Sequence, residues 1–546
     1  MPGDPMTQLA LLLLCVSGWV SVTATASPLP SLADTPQTLT LGNGTEVATL
    51  DPHKAQGVPE SRILRDLFEG LVRLSPSGEI VPGVAQSWSH EAHQRYRFSL
   101  RHNARWSNGD PVTATDFVYS FRRAVDPQTA SSYAWYLSLA HIRNAHAIAQ
   151  GKANPDTLGV SAPDPFTLVI TLDAPTPYFL ATLAHTTLLP VHMATVTQYG
   201  DRWTQPEHLV SNGAYQLHHW TVNEAIDLTR NPYYWDNIHT AIDRVRYLSL
   251  EDPTSELFRF LTGEIDVTST VPIEHFTRLL HERPKQLWVQ PALCTEFLQF
   301  NPQRAPFNDR RVRRALSWAI DRHVITERLL RQGQTPAYTF VPDHIAGYTP
   351  WVPEYATLSQ AQRETQARQW LKEAGVDQQH PLEFTVLYNT SDTNKKVMIA
   401  VASMWHHVLG IKVHLQNQEW KAYLSTMSLG DYDVARSAWC ADYNDASAML
   451  SYLESGNLGG HQFADPHYDA LVVAANHSHN DEERREGYRQ AEHYLLDAMP
   501  IAPLFFPVRA HLVSPEIQGL LPRQAGPMSS QNLFRLQWVS GASNDP

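Results

Sequence analysis

Polar and apolar residues alternate along Arg95-Tyr96-Arg97-Phe98-Ser99-Leu100, the period of a strand with one buried face. Asn108-Gly109 follows as a turn signal. Thr113 stands three residues ahead of Asp116, a capping-box-like start for a helix through Ala124. Phe166 to Leu172 reads as a second strand behind a Pro-rich turn. Val312, Ala315, Leu316, Ala319, Ile320 and Val324 recur at helical spacing, which predicts one amphipathic helix over 311–331. Leu382 to Tyr388 reads as a strand, Lys395 to Leu409 as a helix with Val397, Val401, Met404, Trp405 and Val408 on one face, and Ile411, Val413 and Leu415 as a strand. That run is a βαβ unit and predicts a parallel pair. Glu482 to Ala498 reads as a late helix. No long linker, charge block or short repeat interrupts the pattern, so the expected class is α/β with several sheets.

The most apolar run is at the start. Leu9 to Val20 is too short to span a bilayer, which takes roughly 20 apolar residues. Ala24-Thr25-Ala26 follows with the small-x-small pattern of a cleavage site, so 1–26 is expected to be a signal peptide and the mature chain exported to the periplasm. Its n-region departs from the usual form, carrying Asp4 and neither Lys nor Arg. Leu14 before Cys15 is not the small residue that lipoprotein processing needs.

The 546 residues exceed what one core can serve, so two or three domains are expected. The net charge of −13 argues against nucleic acid as a partner. Cleavage at Ala26 would remove Asp4 and Cys15, leaving a charge of −13 + 1 = −12 and two cysteines, Cys294 and Cys440. In an oxidising compartment two cysteines suggest one disulfide, here closing a loop of 440 − 294 = 146 residues; two separate buried thiols are the other reading.

Signatures of catalysis are missing. The chain has no phosphate loop, no Gly-x-Ser-x-Gly elbow and no His-Glu-x-x-His. His406-His407 and His477-Ser478-His479 are pairs, short of a metal-ligand set, and nothing singles out two carboxylates. Neither a cofactor nor a metal is expected.

Four segments are dense in aromatic and special residues. They are Leu50-Asp51-Pro52-His53-Lys54-Ala55-Gln56-Gly57-Val58-Pro59, Ala104-Arg105-Trp106-Ser107-Asn108-Gly109, Asn417-Gln418-Glu419-Trp420-Lys421, and Tyr432-Asp433-Val434-Ala435-Arg436-Ser437-Ala438-Trp439-Cys440-Ala441-Asp442-Tyr443-Asn444. With Leu387-Tyr388-Asn389-Thr390 and Pro306-Phe307-Asn308-Asp309-Arg310, they closely resemble the periplasmic oligopeptide-binding proteins of ABC importers, over nearly the whole mature chain. Pro155-Asp156-Thr157-Leu158-Gly159-Val160 and Ala400-Val401-Ala402-Ser403-Met404-Trp405 resemble the murein tripeptide-binding branch.

The resemblance implies two lobes closing about a hinge, with an additional domain. Lobe I would hold 27–68, 192–293 and 510–546, the additional domain 69–191, and lobe II 294–509. It also implies a Cys294–Cys440 disulfide. Backbone recognition of mixed-sequence peptides calls for strand-like pairing, and the terminal ammonium calls for a carboxylate in a closed site. The resemblance places that carboxylate at Asp442 and a contact to the ligand's amino end at Tyr133. It places backbone pairing at Val58 and Ala438, and pocket walls at Trp420 and Trp439. Arg436 is carried over as a pocket residue or partner of Asp442, and Asn389 as a pocket residue.

This sequence departs from the oligopeptide binders at several positions. Gln56 and Gln299 stand for glutamates, Met427 for an arginine, Leu330 for a lysine and Asn394 for a histidine. The lysine and histidine positions receive the peptide's carboxy end in the family, so the amino-end anchor is kept and the far end altered. The murein branch, in contrast, typically lacks the cysteines and keeps the arginine where Met427 stands. The expected function is a non-enzymatic, monomeric periplasmic protein that delivers short peptides to the permease subunits of an importer. The alternatives are a murein tripeptide binder, a secreted peptide or cell-wall hydrolase, and a surface interaction protein or chaperone using the same cleft.

Overall fold

A computed structural model describes residues 36–376, 382–456, 460–478, 480–520 and 530–535. The proposed leader 1–26 lies outside these residues, as do His479 and most of 521–546. Three main sheets carry the architecture. Thr38–Gly44 runs parallel to Arg244–Ser249, which continues antiparallel to Ala225–Arg230 and Tyr215–Thr221. Ala85–Glu91, Arg95–Leu100, Thr167–Thr171 and Val160–Asp164 form an antiparallel sheet. The third has six strands in the order Thr335–Pro336, Ile501–Phe506, Cys294–Phe300, Val434–Cys440, Glu383–Asn389 and Lys412–Gln418.

The chain passes from the first sheet to the third through Leu287–Pro291 and returns through Val508–Leu512, and these two segments pair antiparallel. Leu287, Ala510 and Leu512 on them bury against Leu257 and Phe260 of the helix Pro253–Leu261.

The local patterns mostly produce the elements they predict. Arg95–Leu100 buries Tyr96, Phe98 and Leu100 and exposes Arg95 and Arg97. The helix after Thr113 runs Ala114–Val125, and the Thr113 N–H donates to Asp116 Oδ2 at 2.8 Å. Glu383–Asn389 and Lys412–Gln418 are parallel and joined by the helix Asp392–Leu409, capped by Ser391.

The single helix expected over 311–331 is not formed. The α-helix Arg310–Trp318 ends, and a π-helical turn, Val324–Leu330, follows. Two adjacent side chains cause the break. Asp321 accepts from the His323 and Val324 N–H groups, capping the second segment. Arg322 is fully buried and donates to the carbonyls of Ser317, Ile320, Ala337 and Pro503. It satisfies helix-end acceptors that a continuous helix would have used itself.

Candidate functional site

The strand Val434–Cys440 pairs with Cys294–Phe300 along its whole length on one edge. On the other edge it meets Glu383–Asn389 only at Val434 and Ala435. Among the described residues, Arg436 to Cys440 have no partner strand on that side. All five line one cavity of about 400 Å³. The cavity therefore runs beside an open strand edge, the arrangement that accepts an added strand. Cys294 and Cys440 lie opposite each other in register and are disulfide-bonded, tying down the strand end next to Asp442.

The residues singled out from the sequence converge here. Gln56, Val58, Tyr133, Asn389, Trp420, Arg436, Ala438, Trp439 and Asp442 all line the same cavity. They come from three separated stretches: the start of the helix Val58–Leu67, the turn before Ala134–Leu139, and the six-stranded sheet with its flanking segments. Pro59 in the first turn of Val58–Leu67 presents no N–H, which suits a helix start.

Asp442 keeps 15% of its side-chain surface exposed. Its Oδ1 lies 3.3 Å from His185 Nε2. Arg65 acts on it at longer range: burial lowers the Arg65 guanidinium from its ordinary value and the Asp442 charge opposes that shift. Arg65 Nη1 donates to the Ala184 carbonyl at 2.9 Å, bracing the backbone next to His185. Burial first, and the Asp442 charge second, push the Tyr133 and Tyr136 phenols well above their usual range, so both stay neutral.

Arg436, read as a pocket residue or a partner of Asp442, lines the cavity, and its ion-pair partner is Glu296 instead of Asp442. Arg436 pairs with Glu296 and also donates to Asn389 Oδ1 at 3.1 Å. Arg436 stands opposite Leu298 and Glu296 opposite Ala438, so the pair is a cross-strand diagonal. Asn394 holds Asn389 from behind, Nδ2 to Oδ1 at 3.0 Å.

The other departures fall in different places. Gln56 and Met427 line the cavity, and Gln56 Nε2 donates to Ser132 Oγ at 2.5 Å. Gln299 is buried behind the wall on Tyr432 and Gly460, and Leu330 is fully buried in lobe-core packing.

Sequence reasoning missed His185, Trp135 and Tyr452. Trp439 stacks on Tyr452 at 4.1 Å and faces Tyr133 at 6.4 Å and Trp135 at 6.1 Å. Only the density of aromatics pointed toward such a wall; no motif marks these three positions. Among the described residues no cluster of three or more His, Cys, Asp or Glu could hold a metal ion.

Two lobes joined by paired crossing strands, with a strand-edged cavity between separated chain segments, define a two-lobed solute-binding protein. The chain belongs to the bacterial extracellular solute-binding proteins, family 5, whose model matches residues 79–460. It is 46% identical over 502 residues to the periplasmic oligopeptide-binding protein OppA of Salmonella typhimurium, covering 91% of this chain and 92% of that one. It is 44% identical over 475 residues to the periplasmic murein peptide-binding protein MppA of Escherichia coli, covering 87% and 88%. A solved structure of that murein tripeptide-binding protein superposes with a TM-score of 0.90 at 42% identity, covering 92% of this chain and 99% of that one. Its unliganded open form, covering 92% and 98% at the same identity, superposes at 0.66. The lobes of the present structure are thus not in the open arrangement.

Proposed function

We propose that the protein is a periplasmic binding protein that captures short peptides and delivers them to the permease subunits of an ABC importer. Asp442 receives the ligand's α-ammonium, and the open edge at Ala438 pairs with its backbone, with Val58 facing from the other side. Tyr133, Trp420, Trp439, Asn389, Gln56 and Arg436 wall the side-chain pockets. The observation that carries this reading is the position of Asp442: a mostly buried carboxylate just past the end of an unpaired strand edge, in the same cavity. A carboxylate there fixes which end of an added strand enters first. Binding closes the lobes by favouring the closed population. The protein acts as a monomer, without bond chemistry, and 1–26 is removed on export. Lobe I comprises 27–68, 192–293 and 510–546, the additional domain 69–191 and lobe II 294–509.

The test is calorimetric titration with a tripeptide, its N-acetyl form and murein tripeptide. Acetylation, or Asp442→Asn, is expected to cost about 2–5 kcal/mol, roughly 30- to 5,000-fold in Kd. Unchanged affinity would remove Asp442 from the mechanism, and peptide cleavage during titration would favour a hydrolase. Tighter binding of murein tripeptide than of the ordinary tripeptide would move the protein to the murein branch, to which its fold is also similar.

A further inference from the structure

His185 sits beside the proposed anchor, with one ring nitrogen hydrogen-bonded and the other close to the carboxylate. Nδ1 accepts the Thr187 N–H at 3.3 Å, capping the short 3-10 turn Thr186–Leu188. Nε2 faces Asp442 Oδ1 at 3.3 Å. A nitrogen that accepts a backbone N–H carries no hydrogen, so the ring hydrogen belongs on Nε2, the nitrogen nearer the carboxylate. The ring is held by Tyr133, stacked at 5.0 Å and 22°, and by Tyr136, at 4.4 Å and 30°. Its residue is only 6% exposed, and Arg65 braces Ala184 immediately before it.

We propose that His185 is a positioning residue for ligand capture. The Thr186–Leu188 turn fixes its tautomer, its Nε2–H holds Oδ1 of Asp442, and the second carboxylate oxygen is left for a ligand ammonium. This rests on the reading of Asp442 as the amino-end anchor. It assigns specificity for a free amino terminus to a histidine outside the motif that carries the aspartate. Rotation of an unheld carboxylate would cost part of the charge-assisted bond each time a ligand binds.

Two variants separate positioning from a structural role, because each keeps one of the two contacts. In His185→Gln the side-chain amide reaches the place of Nε2 and can donate to Asp442, while the cap on Thr187 is lost. In His185→Asn the shorter side chain keeps a good N-cap acceptor but no longer reaches Asp442. Affinity is measured with a free tripeptide and its N-acetyl form. His185→Gln is expected to bind the free tripeptide within about threefold of the natural protein, and His185→Asn about tenfold or more weaker. Neither should change binding of the acetylated form. The reverse order would show that only the cap matters and would overturn the proposal. Ring 15N shifts of His185 in the natural protein provide a check that needs no variant to fold: hydrogen on Nε2 is expected, and hydrogen on Nδ1 overturns it. If the natural protein itself does not prefer the free amino terminus, the anchor reading fails. If it does and His185→Asn keeps that preference, only the role of His185 fails.

Discussion

Arg436 is tied across the sheet to Glu296: its Nε donates to Glu296 Oε2 at 2.8 Å, and both side chains keep only about 15% of their surface. The guanidinium that lines the cavity therefore arrives already neutralised. Glu296→Gln would leave that charge poorly solvated, with an expected loss of about 2–3 kcal/mol of stability. The same variant should bind a tripeptide with a free carboxylate better, relative to its amide, than the natural protein does. Urea unfolding and paired calorimetric titrations check both; an unchanged carboxylate-to-amide ratio would show that Arg436 does not act on the ligand.

The Cys294–Cys440 bond closes a loop of 146 residues and ends the strand beside Asp442. Replacing both cysteines with serine is expected to lower the stability of the lobe by about 2–5 kcal/mol. Denaturant unfolding of oxidised, reduced and double-serine protein reads this directly, and identical midpoints for all three would contradict it.

Arg322 replaces helix continuity with four carbonyl contacts in a fully buried position. Arg322→Met keeps the length and loses every donor. Stranded buried acceptors cost about 1–3 kcal/mol each, so a loss of at least about 3 kcal/mol is expected. A change below about 1 kcal/mol would mean the break at 319–323 does not depend on the guanidinium.

Four buried histidines should each weaken the fold in mild acid. Burial lowers His53, His141 and His461 to about 4 and His511 to about 3, from 6.5. Between those values and 6.5 the unfolded chain binds more protons, so their contribution is present above pH 6.5 and lost as pH falls toward 4. Glu454 and Glu492 act oppositely: burial raises both from 4.5 to about 7, and their contribution shrinks as pH rises through 7. Burial raises Glu60, Glu69, Asp116 and Glu256 as well, so the histidine share is read at one site: between about pH 6.5 and about pH 4.5 the change in stability should be more favourable in His141→Gln than in the natural protein. Denaturant midpoints of both proteins at those two values check this, and an equal change in the two would refute it.

The strands and helices with local periodicity were legible, because Arg95–Leu100 and Asp392–Leu409 carry their own pattern and caps. The break near 320 was not, because it depends on where Arg322 finds Ala337 and Pro503, contacts no local pattern encodes. The cavity residues were legible through motifs in which neighbours along one strand share a wall, as Arg436 to Cys440 do. Of the two readings of Arg436, the pairing with Asp442 fails because a strand side chain pairs sideways: Glu296 sits on the next strand, while Asp442 lies beyond the end of Arg436's own. His185 was invisible for a related reason. Its place beside Asp442 follows from the closed arrangement of separate segments, and one histidine among 26 carries no mark of that.

The crossings Leu287–Pro291 and Val508–Leu512 lie antiparallel in register over five residue pairs. A single tether would let its two ends twist and slide; a zipped ribbon bends easily across its thin direction and resists shear along its length. Such a ribbon would favour one swing between the lobes over twisting or sliding. On the proposed function, Asp442 and Val58 would return to the same alignment on every cycle, and the stiffness of this ribbon would share in setting the fidelity of capture.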